Sequence, residues 1–141
     1  MICPSLPSDF YQTLTPESVT RFGDFYSADA YFKDPFNEVH GLPAIRHIFA
    51  KMFEQLEEPR FVITEKVDVG DTVVLVWEFS FRIRHRVWKQ SLLMRGVSHL
   101  KFDATGKVCF HRDYWDTAEE LYMKLPVLGG LMRTLQRSLS A

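Results

Sequence analysis

Two stretches decide how this chain folds: Tyr26-Ser27-Ala28-Asp29-Ala30-Tyr31-Phe32-Lys33-Asp34-Pro35-Phe36 and His40-Gly41-Leu42-Pro43-Ala44-Ile45-Arg46. In the first, Ala30 to Asp34 reads as a short strand, and Pro35 stops it because proline has no N–H to give to a neighbouring strand. In the second, Leu42-Pro43 opens a helix. Apolar side chains then recur at Ile45, Ile48, Phe49, Met52, Phe53 and Leu56, spacings that gather them on one face and leave Arg46, His47, Lys51 and Gln55 on the wet side. Upstream, Phe10, Tyr11 and Leu14 make one apolar turn. Thr15-Pro16 then supplies a cap and a first-turn proline for a helix that turns Val19, Phe22, Phe25 and Tyr26 inward.

Beyond Pro59 the period falls to two. Phe61 and Ile63 begin the alternation; after a turn at Asp71, Val73, Leu75, Trp77, Phe79, Phe81 and Ile83 alternate with Glu78, Ser80, Arg82 and Arg84. Such a pattern belongs to a sheet with one covered and one polar face. Two more strands, Ser91 to Phe102 and Lys107 to Trp115, are joined by Asp103-Ala104-Thr105-Gly106, a hairpin turn closed by glycine. Helices, a strand, a helix and then a meander predict an α+β domain with helices on one face of a curved antiparallel sheet. That domain runs over residues 1–116, and residues 117–141 form a helical extension of it.

Composition narrows the classes of function. At 141 residues the chain is one domain, and 46% hydrophobic with 25% charged residues is globular. Seventeen basic against 18 acidic residues leave no field to hold a phosphate backbone, so nucleic acid is not an expected partner. The longest apolar run, Val73 to Trp77, falls far short of the ~20 residues that span a bilayer, and a soluble, cytoplasmic protein is expected. Cys3 and Cys109 match no disulfide framework or zinc pattern and read as free thiols. Aromatic residues reach 14%, more than simple packing requires, which points to an aromatic-lined cavity.

The two opening stretches closely resemble the Y-A-D-D-A…D-P-F…H-G…A-I signature of the nuclear-transport-factor-2-like superfamily, in particular its ketosteroid-isomerase and SnoaL-like branch. Phe102 to Val108 and Tyr114-Trp115 look like that family's last hairpin, so the resemblance spans residues 10–116. It implies a cone-shaped sheet of six strands closed by three helices, with a deep apolar pocket between them. The fold hosts isomerases, cyclases, dehydratases, epoxide hydrolases and binding proteins, so chemistry must be argued from side chains.

By this resemblance Asp34 falls where the isomerases keep their proton-shuttling carboxylate, at the mouth of an apolar pocket. The family's catalytic tyrosine aligns with Phe10, Tyr11 being one residue off, and its protonated aspartate aligns with Ser98. Without those two donors an enolate oxygen lacks its oxyanion hole, and steroid isomerisation is disfavoured. The alignment also turns Ser98 and Trp115 inward. The period of two then brings in Leu92, Met94, Gly96 and Leu100 on one strand and Cys109, His111 and Asp113 on the next.

A carboxylate beside an imidazole is the arrangement that orients a general base, so Asp34, His111 and Asp113 are the expected catalytic residues. Phe10, Tyr11, Phe36, Met94, Ser98 and Trp115 are the expected substrate contacts. Alternatively, His111 and Asp113 only satisfy each other in a polar patch of the core. Asp34, His111 and Asp113 could together hold a metal, but their spacing is not diagnostic of one, and no metal or cofactor is expected. The expected activity is cofactor-independent acid/base chemistry of the isomerase, cyclase or dehydratase type on an apolar carbonyl compound. A non-catalytic ligand-binding or dimeric accessory domain is the alternative.

Opposite parity exposes Arg95, Val97, His99 and Lys101 beside Phe110, Arg112 and Tyr114, a mixed surface suited to a homodimer through the outer sheet face. Arg82, Arg84, His85, Arg86 and Lys89 make a positive run that reads as a solvated turn or a site for an anionic partner. In the tail, Asp116, Glu119 and Glu120 start a helix that turns Leu121, Tyr122 and Leu125 inward until Pro126. Val127, Leu131, Leu135 and Leu139 then recur every four, flanked by Leu128 and Met132, with Arg133 and Arg137 opposite. This amphipathic helix is expected to pack on its own domain or a dimer mate rather than on a membrane.

Overall fold

The computed structural model describes residues 6–83, 91–122 and 126–140. Helix α1 (Leu6–Gln12) is followed by the expected second helix, which is of the 3-10 type (Pro16–Asp24). Thr15 and Ser18 cap it reciprocally, each hydroxyl accepting from the other's backbone N–H. Phe25 N–H closes the last turn onto Phe22, and the chain enters β1 (Tyr26–Lys33). The strand therefore starts at Tyr26, four residues before the expected Ala30, and Tyr26 is a strand residue instead of a helical one. A register shift against the last strand falls between Tyr26 and Tyr31 and buries both Tyr26 and Ser27, which breaks the alternation that would have marked the strand.

After β1 come the three-residue β2 (Glu38–His40) and α2 (Leu42–Gln55), with Pro43 in its first turn and Ile45 and Phe49 buried. A meander follows: β3 (Leu56–Val69), β4 (Thr72–Ile83), β5 (Ser91–Phe102) and β6 (Val108–Tyr114). The sheet order is β2-β1-β6-β5-β4-β3, antiparallel except where β1 meets β6. That parallel pair arises because the chain leaves β1, crosses through α2 to the far edge and returns strand by strand until the last lies beside the first. Val73, Leu75, Trp77, Phe79 and Phe81 of β4 and Leu92, Met94, Ser98 and Leu100 of β5 are all buried, as their period of two requires. They pack with Phe22, Tyr26, Phe32 and the inner face of α2 in one core, so three helices cover the concave face.

The last hairpin turns at Asp103 as expected. Its carboxylate accepts from Thr105 N and Oγ1 and from Lys107 N, bonds that hold it below the usual carboxylate range, and Gly106 takes φ 84°. Past β6, Asp116 caps α3 (Thr117–Glu120) by accepting from Glu119 N. Glu120 is buried and accepts from Arg95 Nε at 2.8 Å, which ties α3 to β5.

Helix α4 (Pro126–Leu139) does not take the first of the two packings expected for the tail, on its own domain. Leu131, Leu135 and Leu139 are exposed, so the stripe is not buried on its own domain. Three helices already cover the concave face, and among the described residues α4 makes no extensive contact with another element. Leu125 and the run Arg84, His85, Arg86 and Lys89 lie outside the described residues; Arg82 pairs with Glu57 and Glu58. Among the described residues no helix is long and apolar enough to cross a membrane.

Candidate functional site

A cavity of about 340 Å3 opens between α2 and the concave face. Phe32, Phe61, Trp77, Phe79 and Met94 wall it from the sheet, and Ile48, Phe49 and Met52 from the helix. Its polar groups are few: Asp34, Asn37 and Asp113 near Trp115, and His47, Lys51 and Gln55 along α2.

Asp113 sits two residues beyond His111 on the same face of β6, and His111 Nε2 lies 2.6 Å from Asp113 Oδ1. Ser98, directly across the ladder on β5, donates to the same oxygen at 2.5 Å. The serine is held in turn by Trp77 Nε1–H, 2.9 Å from its Oγ. An indole can only donate, so Ser98 Oγ accepts from Trp77 and keeps its own hydrogen for Asp113. Gly96 makes room for this: it faces Trp77 across the ladder, and a Cβ there would lie 2.4 Å from the indole ring.

Behind the imidazole stand two phenols. Tyr26 Oη lies 2.6 Å from His111 Nδ1 and Tyr11 Oη 3.3 Å away, and the two hydroxyls bond to each other. Burial pushes both phenols above the ordinary tyrosine range, and the Asp113 charge pushes further the same way. Both therefore stay protonated and able to donate. With a neutral imidazole the directions are then set: Tyr26 O–H donates to Nδ1 and Nε2–H donates to Asp113. The two arms of the network meet at Asp113 Oδ1, which accepts from His111 Nε2 and Ser98 Oγ, and Oδ2 has no hydrogen-bond partner among the described residues.

Asp34 is built differently. Its Oδ1 accepts from Phe36 N at 2.8 Å, Asn37 N at 2.7 Å and Asn37 Nδ2 at 3.1 Å, and Asn37 Nδ2 reaches Oδ2 at 3.2 Å. This carboxylate folds the loop after β1 upon itself, and the loop sets Phe36 edge-on to Trp115 at 5.5 Å.

Asp34, Asp113, Met94 and Trp115 thus line one cavity, as the parity of the strands requires. His111 and Ser98 stand behind Asp113 instead of facing the cavity, and Tyr11 stands behind His111. These two expected substrate contacts, Ser98 and Tyr11, are bonded into the network. Phe10 does not reach the cavity either, because its ring is packed among Tyr11, Phe22 and Phe25. Phe36 is exposed at the mouth. Among the described residues no group of three His, Cys, Asp or Glu side chains is placed to hold a metal.

Comparison with known proteins fits this geometry. The SnoaL-like domain family matches residues 8–111, nearly three quarters of the chain. This chain belongs to the SnoaL-like family. No protein of curated function matches it. Among solved structures, the SnoaL-like chain is similar to a Catenulispora acidiphila protein with a ketosteroid isomerase-like fold, crystallised with trimethylamine; identity is 16%, coverage 85% of this chain and 92% of that one, and the TM-score 0.70. A putative SnoaL-like polyketide cyclase from Shewanella putrefaciens has 21% identity, 84% and 95% coverage and a TM-score of 0.69. An epoxide hydrolase of M. tuberculosis, LEH-like, has 18% identity, 94% and 89% coverage and a TM-score of 0.67. At these identities the likeness is one of fold.

Two members of the SnoaL-like domain's network, Tyr26 and Trp77, were not among the expected site residues. Trp77 carried a readable signal, an inward aromatic in register with Gly96 on the next strand, a pairing in which the ring fills the space that glycine leaves. Tyr26 carried none, because the bulge hides its parity.

Proposed function

We propose that this SnoaL-like domain binds a small apolar carbonyl compound and moves a proton on it without a cofactor, in reactions of the isomerase, cyclase or dehydratase type. One observation carries the reading: Asp113 lines an apolar cavity with Oδ1 held by His111 and Ser98 and with Oδ2 unpartnered among the described residues. A carboxylate so fixed is a positioned base. Oδ2 takes the proton from the carbon beside the carbonyl, the C–H electron pair moves into the enolate, and the proton returns to carbon from the same carboxyl. His47, Lys51 and Gln55, exposed residues of α2 that line the same cavity, are the donors available to the enolate oxygen. At about 340 Å3 the cavity is at the small end of ligand pockets, which run from about 300 to 1,000 Å3.

Deuterium exchange tests this. With 2-tetralone as probe in D2O, followed by NMR, the protein should speed exchange beside the carbonyl well above the buffer rate, and Asp113→Asn should abolish the gain. The second reading, a binding domain without turnover, is favoured by Phe10, which stands where the isomerases keep a donor and is buried in the core instead. Saturable binding of the probe with exchange at the buffer rate would establish it and overturn the first.

A further inference from the structure

We infer that α4 is an interfacial helix that docks on an anionic lipid surface. Leu128, Leu131, Met132, Leu135 and Leu139 lie on one stripe of the helix, and Leu131, Leu135 and Leu139 are 58%, 48% and 85% exposed. A folded domain rarely leaves such a stripe facing water unless something else covers it. Charge selects the occupant. The charged residues after Glu120 are Lys124, Arg133 and Arg137, all basic, whereas the residues up to Glu120 carry 14 basic against 18 acidic. A body of net negative charge with an amphipathic appendage whose charges are all basic matches an anionic bilayer at the appendage.

Size fixes the mode of docking. Fourteen residues at about 1.5 Å each span roughly 21 Å, short of the ~30 Å hydrocarbon core, so the helix lies in the headgroup plane. Gly129 and Gly130 in its first turns weaken the helix in water, so a surface that covers the stripe adds to its order.

The test is sedimentation of the full chain with phosphatidylcholine vesicles containing 30% phosphatidylserine and with phosphatidylcholine alone, in low and high salt. The wild type should pellet with the anionic vesicles at least fivefold more than with neutral ones, lose most of that in high salt, and gain helical circular dichroism on binding. Leu131→Ser with Leu135→Ser should abolish pelleting while the melting temperature of the domain stays unchanged, since both leucines are exposed. Equal recovery on both vesicles, or pelleting by the double variant, would overturn the inference. So would a wild-type dimer in the ultracentrifuge that the double variant dissociates, because a second copy would then cover the stripe.

Discussion

Nε2 of His111 donates to Oδ1 of Asp113 across 2.6 Å, yet only the aspartate reaches the cavity. The imidazole is 2% exposed and bracketed by Tyr26 on its other nitrogen, so its part is to hold a carboxylate rather than to touch a substrate. This reverses the usual order of a His–carboxylate pair, in which the carboxylate steadies the imidazole.

Asp113→Asn and Asp34→Asn should therefore differ. The first keeps an acceptor for Ser98 and His111 but removes the base, and exchange on the tetralone probe should fall 100-fold or more, in line with the about 10²–10⁴ that a positioned base supplies. The second weakens the loop bonds to Phe36 and Asn37 and should cost exchange less than about tenfold. Equal losses in both would assign proton transfer to the pair of carboxylates.

Tyr26→Phe leaves His111 Nδ1 without its 2.6 Å donor in a site closed to water. An unsatisfied buried group costs about 1–3 kcal/mol, and urea denaturation should show a loss of that size. If stability is unchanged, Tyr11 has moved in from 3.3 Å to replace the bond, and a Tyr11→Phe, Tyr26→Phe double variant should then show the loss.

Most of the fold was legible because its strands obey one rule. The period of two through β4, β5 and β6 turned Leu75, Trp77, Ser98, His111 and Asp113 inward, which brought Asp113 to the cavity and aligned His111 behind it. Where the rule is broken, the reading slipped. Tyr26 passed for a helical residue because Phe22, Phe25 and Tyr26 keep a helical spacing into the bulge of β1. The place of α4 was beyond reach for another reason. Periodicity shows that a stripe exists, but only the exposure of Leu131, Leu135 and Leu139 shows that the domain does not bury it. Roles within the site needed distances too, since Asp34 and Asp113 are both inward carboxylates by pattern and only the Asp34 loop bonds tell them apart.

Gly96→Ala should disturb the site without touching the cavity carboxylate. A methyl group there would lie 2.4 Å from the Trp77 ring, so the indole must shift and lose its bond to Ser98. Overpacking of this kind costs about 1–3 kcal/mol, and the tryptophan emission should move as the ring finds a new contact. An unchanged spectrum and melting temperature would mean that the backbone of β5 yields instead of the ring.

Alkaline pH should weaken the fold through the two phenols behind His111. Burial raises both above the ordinary 10.0, so the folded chain keeps protons that the unfolded chain releases. The sign follows: the contribution is fully present below about pH 10 and is lost as pH rises from there toward the folded values, at up to about 1.4 kcal/mol per pH unit for each phenol. Tyr31 also titrates high, held up by its hydrogen bond to Glu38, but it is common to every variant, so a comparison among variants removes it. Urea midpoints between pH 9 and 11.5 should fall steeply for the wild type, less steeply for Tyr11→Phe and for Tyr26→Phe, and least for the double variant. Parallel curves for all four would show that neither phenol is kept protonated by the fold, and the donor directions assigned to the network from Tyr11 to Asp113 would fail with it.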